Sequence, residues 1–182
     1  WESAFKGFGF RSRDYKCESI GKLDSLIQKE TYKDFKIILI DEAHRFRTEE
    51  TETYEKLAQI CHGKKVILVT ATPYNNSPMD LLAQIKLFQR TRESTLPNLP
   101  DIEGFFKGLM KRVSKLDRRK DKEEYIETVK ENSRLIRERV LKYLMVRRTR
   151  GEIKKNYEQD LKEQGMEFPV IAKPRPIYYE FN

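Results

Sequence analysis

Two apolar, β-branched runs of strand length, at 36–40 and 65–69, stand one helix apart and each stops abruptly in polar residues. Runs that are apolar at successive positions, rather than alternating, belong to strands covered on both faces, which is the pattern of a parallel sheet. The first run ends in Asp41-Glu42-Ala43-His44 and the second in Thr70-Ala71-Thr72-Pro73. Parallel sheets open their binding crevice at the carboxyl ends of the strands, so both polar clusters should face one crevice. Two carboxylates there suit a nucleotide and its metal, because phosphoryl transfer depends on positioning and charge neutralisation.

The elements between and around these runs complete an α/β alternation. A helix is expected from about Ser19 to Lys29 with Leu23, Leu26 and Ile27 on one face, and another over 51–61, where Gly63 suits a left-handed C-terminal cap. Ser77-Pro78-Met79-Asp80 supplies an N-cap, a proline at the first helical position and an acid at the third, opening a helix to about Phe88. Strand, helix, strand, helix is the order of a parallel sheet with flanking helices. Residues 1–17 mix aromatic, glycine and basic residues without a period and read as irregular.

Beyond Arg92 the texture changes. The stretch Thr95–Pro100, with two prolines, reads as a linker. A long amphipathic helix follows from Asp101, with Ile102, Phe105, Phe106, Leu109, Met110, Val113 and Leu116 on its buried stripe. A second, capped by Asp121 with Glu124, turns Ile126, Val129, Ile136, Val140, Tyr143 and Leu144 inward. The solvent faces of this helical pair are crowded with Lys and Arg. A third helix is expected from about Glu152 to before Gly165, and Pro174, Pro176 and Tyr178–Phe181 suggest an extended exit.

The chain has 182 residues and a formal net charge of +8, enough for one domain with an appendage and suited to a polyanionic partner. No apolar run approaches the roughly 20 residues that a membrane span needs, and no leader precedes the first helix. The expected setting is therefore soluble and intracellular, cytoplasmic or nucleoid-associated. Cys17 and Cys61 lack metal-ligand spacing and read as reduced structural thiols. The first methionine is Met79, which reads as a piece from the interior of a longer polypeptide.

The DEAH at 41–44, the TAT-Pro at 70–73, the following Tyr74-Asn75-Asn76-Ser77 and the later Val146-Arg147-Arg148-Thr149-Arg150 resemble motifs of helicase superfamily two. They are most similar to those of Swi/Snf-type, DNA-translocating ATPases and their bacterial relatives. The resemblance implies the C-terminal part of a RecA-like lobe at 1–92, a helical insertion over 93–150 ending in the Arg-Arg-Thr element, and a helix with linker toward a second lobe over 151–182. It further implies ATP and magnesium as cofactors, nucleic acid, above all double-stranded DNA, as partner, and a role such as bacterial restriction or genome defence.

Residue roles follow from the same resemblance. Asp41 would hold magnesium through water, and Glu42 would polarise the water that attacks the γ-phosphate; both, with His44, would contact the nucleotide. His44 would couple the nucleotide site to Thr70-Ala71-Thr72 through a threonine hydroxyl. Arg147, Arg148 and Arg150 would brace the lobe junction or touch the DNA backbone. Plainer readings stand beside these: Asp41 and Glu42 as a solvated helix start, Thr70 and Thr72 as turn residues, and the arginines as a solvated charge run.

A Gly-x-x-x-x-Gly-Lys-Ser/Thr loop is absent; Gly21-Lys22 is followed by Leu23. The phosphate-cradling lysine is therefore expected upstream of Trp1 and the arginines of a second lobe beyond Asn182, leaving this chain without ATP turnover of its own. Other readings are a non-catalytic basic nucleic-acid-binding or interaction module, a nuclease using the carboxylates, and an RNA helicase. The nuclease reading lacks further ligands at a strand edge, and the scaffold reading leaves the paired motifs unexplained.

Overall fold

In the computed structural model, which describes residues 1–72, 77–169, 172 and 175, the two apolar runs form β1 (Ile37–Ile40) and β2 (Lys65–Leu68). They pair in parallel with Ile37 opposite Lys65 and Ile40 opposite Leu68. The ladder continues past both strands: Val69 N–H donates to Ile40 O at 2.8 Å, and Ala43 N–H donates to Val69 O at 3.0 Å. These bonds fix the residues after each strand side by side.

One face of this sheet is packed. Ile40 lies in a core with Leu23 of α2 (Leu23–Gln28), Tyr54, Leu57, Ile60 and Cys61 of α3 (Glu52–Cys61), and Ala83 of α4 (Pro78–Lys86), with Ile38, Val66 and Leu68 packed against it. Burial pushes the Cys61 thiol up to about 12, so it stays protonated as a small apolar residue. The opposite face leaves Ile37 and Ile67 about half exposed, at 55% and 49%. Among the described residues only this face's partner side is covered, although parallel strands are ordinarily covered on both. Tyr54 joins α3 to α4 by donating its buried hydroxyl to Ala83 O at 2.7 Å.

The α4 start follows the sequence closely. Ser77 Oγ accepts from Met79 N–H at 3.1 Å, and Asp80 accepts from Ser77 N–H at 3.4 Å, forming a capping box with Pro78 at the helix opening. The helix α5 (Ile102–Ser114) is capped by Asp101, whose Oδ1 accepts from Gly104 N–H at 2.8 Å. A Cβ at position 104 would lie 2.3 Å from Asp101 Oδ2, so the cap requires glycine there. Helix α5 packs on α4 and on α6 (Lys122–Ile136). Ile102, Phe106, Leu109, Ile136 and Val140 are buried, and Asn132 Nδ2 donates to Leu109 O at 3.0 Å from within this seam.

Several sequence expectations need correction. Residues 2–7 are helical, α1 (Glu2–Gly7), held by ring contacts rather than by a buried stripe: Trp1 and Tyr15 lie 6.0 and 4.8 Å from Phe5, centroid to centroid. The 19–29 helix opens as a 3-10 turn over Ile20–Lys22 before α2 begins. Thr95–Pro100 is an anchored loop and not a free linker, since Leu96 and Leu99 are buried and Ser94 N–H donates to Pro100 O at 2.9 Å. Asp121 does not cap α6 with its side chain; its carboxylate accepts from Asp117 N–H at 2.8 Å instead. Ile126 and Tyr143 are exposed. For Tyr143 the reason is that α6 passes into a π-helical stretch, Arg137–Leu141, and the single turn α7 (Lys142–Leu144), which shifts the buried stripe beyond Ile136. The helix expected from Glu152 is two short ones, α8 (Arg150–Asn156) and α9 (Glu158–Glu163), interrupted at Tyr157.

The chain divides into two compact units, 1–143 and 144–182. In the second, Thr149 caps α8 by accepting from Glu152 N–H at 3.2 Å while the Glu152 carboxylate accepts from Thr149 N–H at 2.8 Å. Among the described residues no helix is long and apolar enough to cross a membrane. Pro73 to Asn76, Pro174, Pro176 and Tyr178–Phe181 lie outside the described residues.

Candidate functional site

The crevice side of the sheet is built by the two residues runs that follow β1 and β2. Asp41 is exposed, and both of its oxygens are engaged: Oδ1 accepts from Glu42 N–H at 2.9 Å, and Oδ2 accepts from the indole N–H of Trp1 at 2.7 Å. Glu42 adopts the left-handed conformation, φ 51° and ψ 43°, which costs a non-glycine residue on the order of 1 kcal/mol. The turn is over-determined by the bonds around it, from Asp41 on one side and Val69 O on the other. It swings the chain out of β1 so that Ala43 and Phe46 enter the core while Glu42 stays in solvent.

His44 sits between the two strand ends. Its Nδ1 lies 3.1 Å from Glu42 Oε2 and 3.4 Å from Thr70 Oγ1. A proton on Nδ1 serves the carboxylate first, since that contact is shorter and the acceptor is charged. Thr70 Oγ1 in turn accepts from Thr72 N–H at 3.2 Å, closing a turn around Ala71. The two polar clusters, 26 residues apart in sequence at His44 and Thr70, are thereby in contact.

Arg147, Arg148 and Arg150 belong to the second unit and are exposed. Arg148 reaches back to Arg147 O at 3.4 Å, and the Arg150 guanidinium lies 5.9 Å from the Phe168 ring centroid. The structure thus gathers Asp41, Glu42, His44, Thr70, Ala71 and Thr72 at one sheet edge, with the arginines on a separate unit. Trp1 is the contact that sequence reasoning misses. Forty residues separate it from Asp41, and only the aromatic spacing Trp1, Phe5, Phe10, Tyr15 hints at a cluster that could carry it there.

The donor set bears on magnesium directly. Among the described residues no group of three or more His, Cys, Asp or Glu side chains converges on a point, so no protein-only cage exists. A single exposed hard-oxygen carboxylate such as Asp41 is what magnesium needs when waters and phosphate oxygens supply its other ligands. The residues present fit a metal brought in with a nucleotide.

The sequence model of one family, the SNF2-related domain, matches residues 16–178. No curated protein and no solved structure matches the chain. The chain belongs to the SNF2-related domain family, the Swi/Snf type within helicase superfamily two, whose members are ATP-dependent translocases built on a RecA-like lobe. The small parallel sheet with its flanking helices is consistent with part of such a lobe.

Proposed function

We propose that this SNF2-related chain carries the hydrolytic strand ends of an ATP-driven, double-stranded-DNA translocase. The observation that supports this best is the parallel register of β1 and β2, which brings His44, itself 3.1 Å from Glu42, within hydrogen-bonding reach of Thr70. Asp41 holds the metal, which when bound neutralises charge on the nucleotide phosphates. Glu42 orients the attacking water and accepts its proton. His44, in contact with both Glu42 and Thr70, transmits the state of the nucleotide site to the 70–72 turn, and thus to α4 behind it. Arg147, Arg148 and Arg150 contact the nucleic-acid backbone or the junction with the rest of the motor, inside the cell where that substrate lies. The helical pair α5–α6 is an insertion in the lobe.

The chain contains no glycine-lysine phosphate loop, so by itself it is expected to bind ATP weakly and not to turn it over. The test therefore uses a polypeptide joining this chain to that loop and to a second lobe. Glu42→Gln there should lower DNA-stimulated hydrolysis by roughly 10²–10⁴-fold, the usual contribution of a positioned base, while ATP affinity changes little. Hydrolysis that persists in this variant would remove Glu42 from its assigned role.

A further inference from the structure

Many cations of the first unit lie in ion pairs with described carboxylates. Lys22 and Lys16 pair with Glu18, Lys56 with Asp24 and Glu52, Lys86 with Glu49, Lys107 with Glu103, and Arg134 with Glu131 and Glu138. The end of α5 and the turn into α6 break this habit. Lys111, Arg112, Lys115, Arg118, Arg119, Lys120 and Lys122 fall within twelve residues, and none lies in an ion pair with the described carboxylates. The two acids interspersed among them are turned onto backbone. Asp117 Oδ1 accepts from Arg119 N–H at 2.8 Å and Lys120 N–H at 3.0 Å, and Asp121 Oδ2 accepts from Asp117 N–H at 2.8 Å.

Helix electrostatics does not account for this crowding. Lys111 and Arg112 do complement the negative end of the α5 dipole. Lys111 and Lys115, however, are four apart on one face, where like charges repel, and Lys122 stands at the positive end of α6, where a cation is unfavourable. Arg118, Arg119 and Lys120 lie in no helix at all. A local rule broken several times without compensation inside the chain points to compensation from outside it.

Shape agrees with charge. Lys111 and Arg112 of α5 and Lys115 just past its end line a shallow cleft of about 410 Å³ together with Gly108 of α5 and Glu124 and Thr128 of α6. Nothing lies within 4 Å of where a Cβ on Gly108 would be, so the cleft is open there to an approaching group. Glu124 is the cleft's single carboxylate, and Glu131, which Arg112 influences electrostatically, is already clamped by Arg134. The only ring at the tip, Tyr125, has the Arg118 guanidinium over one face, 5.9 Å from its centroid.

We infer that the α5–α6 tip, Lys111 to Lys122, is a docking surface for the phosphate backbone of duplex nucleic acid, with Lys111, Arg112 and Lys115 in the cleft and Arg118 to Lys120 on the adjoining turn. The inference rests on the nucleic-acid partner of the proposed function and gives that partner a place on this chain. Contacts of this kind follow phosphate spacing and not base identity. Each phosphate neutralised adds about 0.9 to the slope of log affinity against log salt.

The 182-residue chain itself, without ATP, is titrated against labelled duplexes of unrelated sequence by fluorescence anisotropy at several salt concentrations. Replacing Lys111, Arg112 and Lys115 together by Gln should lower the slope by about 2–3 and cost roughly eightfold in affinity per lost contact at 0.1 M salt. The triple change Arg118→Gln, Arg119→Gln and Lys120→Gln, which touches no helix, should do the same. Lys56→Gln with Lys107→Gln, removing cations that already have partners outside the tip, should leave slope and affinity unchanged. The inference is overturned if the wild-type chain does not bind duplex, if neither tip variant alters the slope, or if the paired-cation control falls as far. Equal competition by polyglutamate of matched charge would overturn it too, by making the tip a surface for acidic protein. Binding here involves no hydrolysis, so retained turnover in the Glu42→Gln variant would sink the catalytic assignment without touching this one.

Discussion

The strand ends and the α5–α6 tip are both polar and exposed, yet they are organised in opposite ways. At the strand ends side chains of the proposed site are held: Asp41 by two donors, His44 between Glu42 and Thr70, and Thr70 by the Thr72 amide. At the tip it is the acids that are held and the cations that are loose. Chemistry on a phosphate needs atoms placed to within a fraction of an ångström, which only a network can do. Recognition of a charged backbone needs only charge near a surface, and ordered cations would gain it little.

The comparison can be broken most severely at Phe106. If the helical pair is held by its apolar seam and its charges are free for other work, Phe106→Ala should cost about 3–5 kcal/mol in a urea titration, because the ring is fully buried. A loss under about 1 kcal/mol would mean that the seam is not what keeps α5 and α6 together. At the strand ends the sharper question is strain. Glu42→Gly should stabilise the chain by up to about 1 kcal/mol, since glycine adopts φ 51° without penalty, and the same change should abolish hydrolysis in a complete motor. Destabilisation instead would show that the Glu42–His44 contact outweighs the backbone cost.

The smallest effect concerns pH. Amide donors from Lys120 and Arg119 hold the Asp117 carboxyl below the usual aspartate range. A lowered folded value means stability that is present above the unfolded value and lost as pH falls through the folded one. The turn at 117–121 should therefore loosen in acid, below the ordinary aspartate range, and Asp117→Asn should remove that dependence when the Arg119 and Lys120 amide resonances are followed by NMR. Resonances that stay pH-dependent in the variant would assign the transition to another group.

Much of the sheet and its flanking helices was legible because short-range rules act there alone. The β-branched runs become β1 and β2 with little shift in boundary, and Ser77-Pro78-Met79-Asp80 opens α4 as its chemistry requires. Elements set by tertiary contact were not. Helix α1 has no apolar stripe to read, since its support comes from Phe10 and Tyr15 beyond its end. The acids of 117–124 satisfy a capping pattern on paper, but the turn before α6 offers Asp121 a backbone amide at 2.8 Å and it takes that one. The π-helical stretch after Ile136 rotates everything beyond it, which a constant helical period does not anticipate. Of the site, the residue types and their order along the chain were readable; the left-handed Glu42 and the Trp1–Asp41 bond, being properties of a turn and of a contact across forty positions, were not.

That bond has an optical consequence. The chain holds a single tryptophan, and its indole N–H is bonded to Oδ2 of Asp41, the residue proposed to hold the metal. Indole emission responds to the charge and hydrogen bonding at its ring nitrogen, so the ultraviolet fluorescence of the unlabelled protein, with no second tryptophan to mask it, senses changes at the Asp41 carboxylate. A cation arriving at that oxygen must either share it with the indole or displace it, and either event changes the colour of the light the protein gives back.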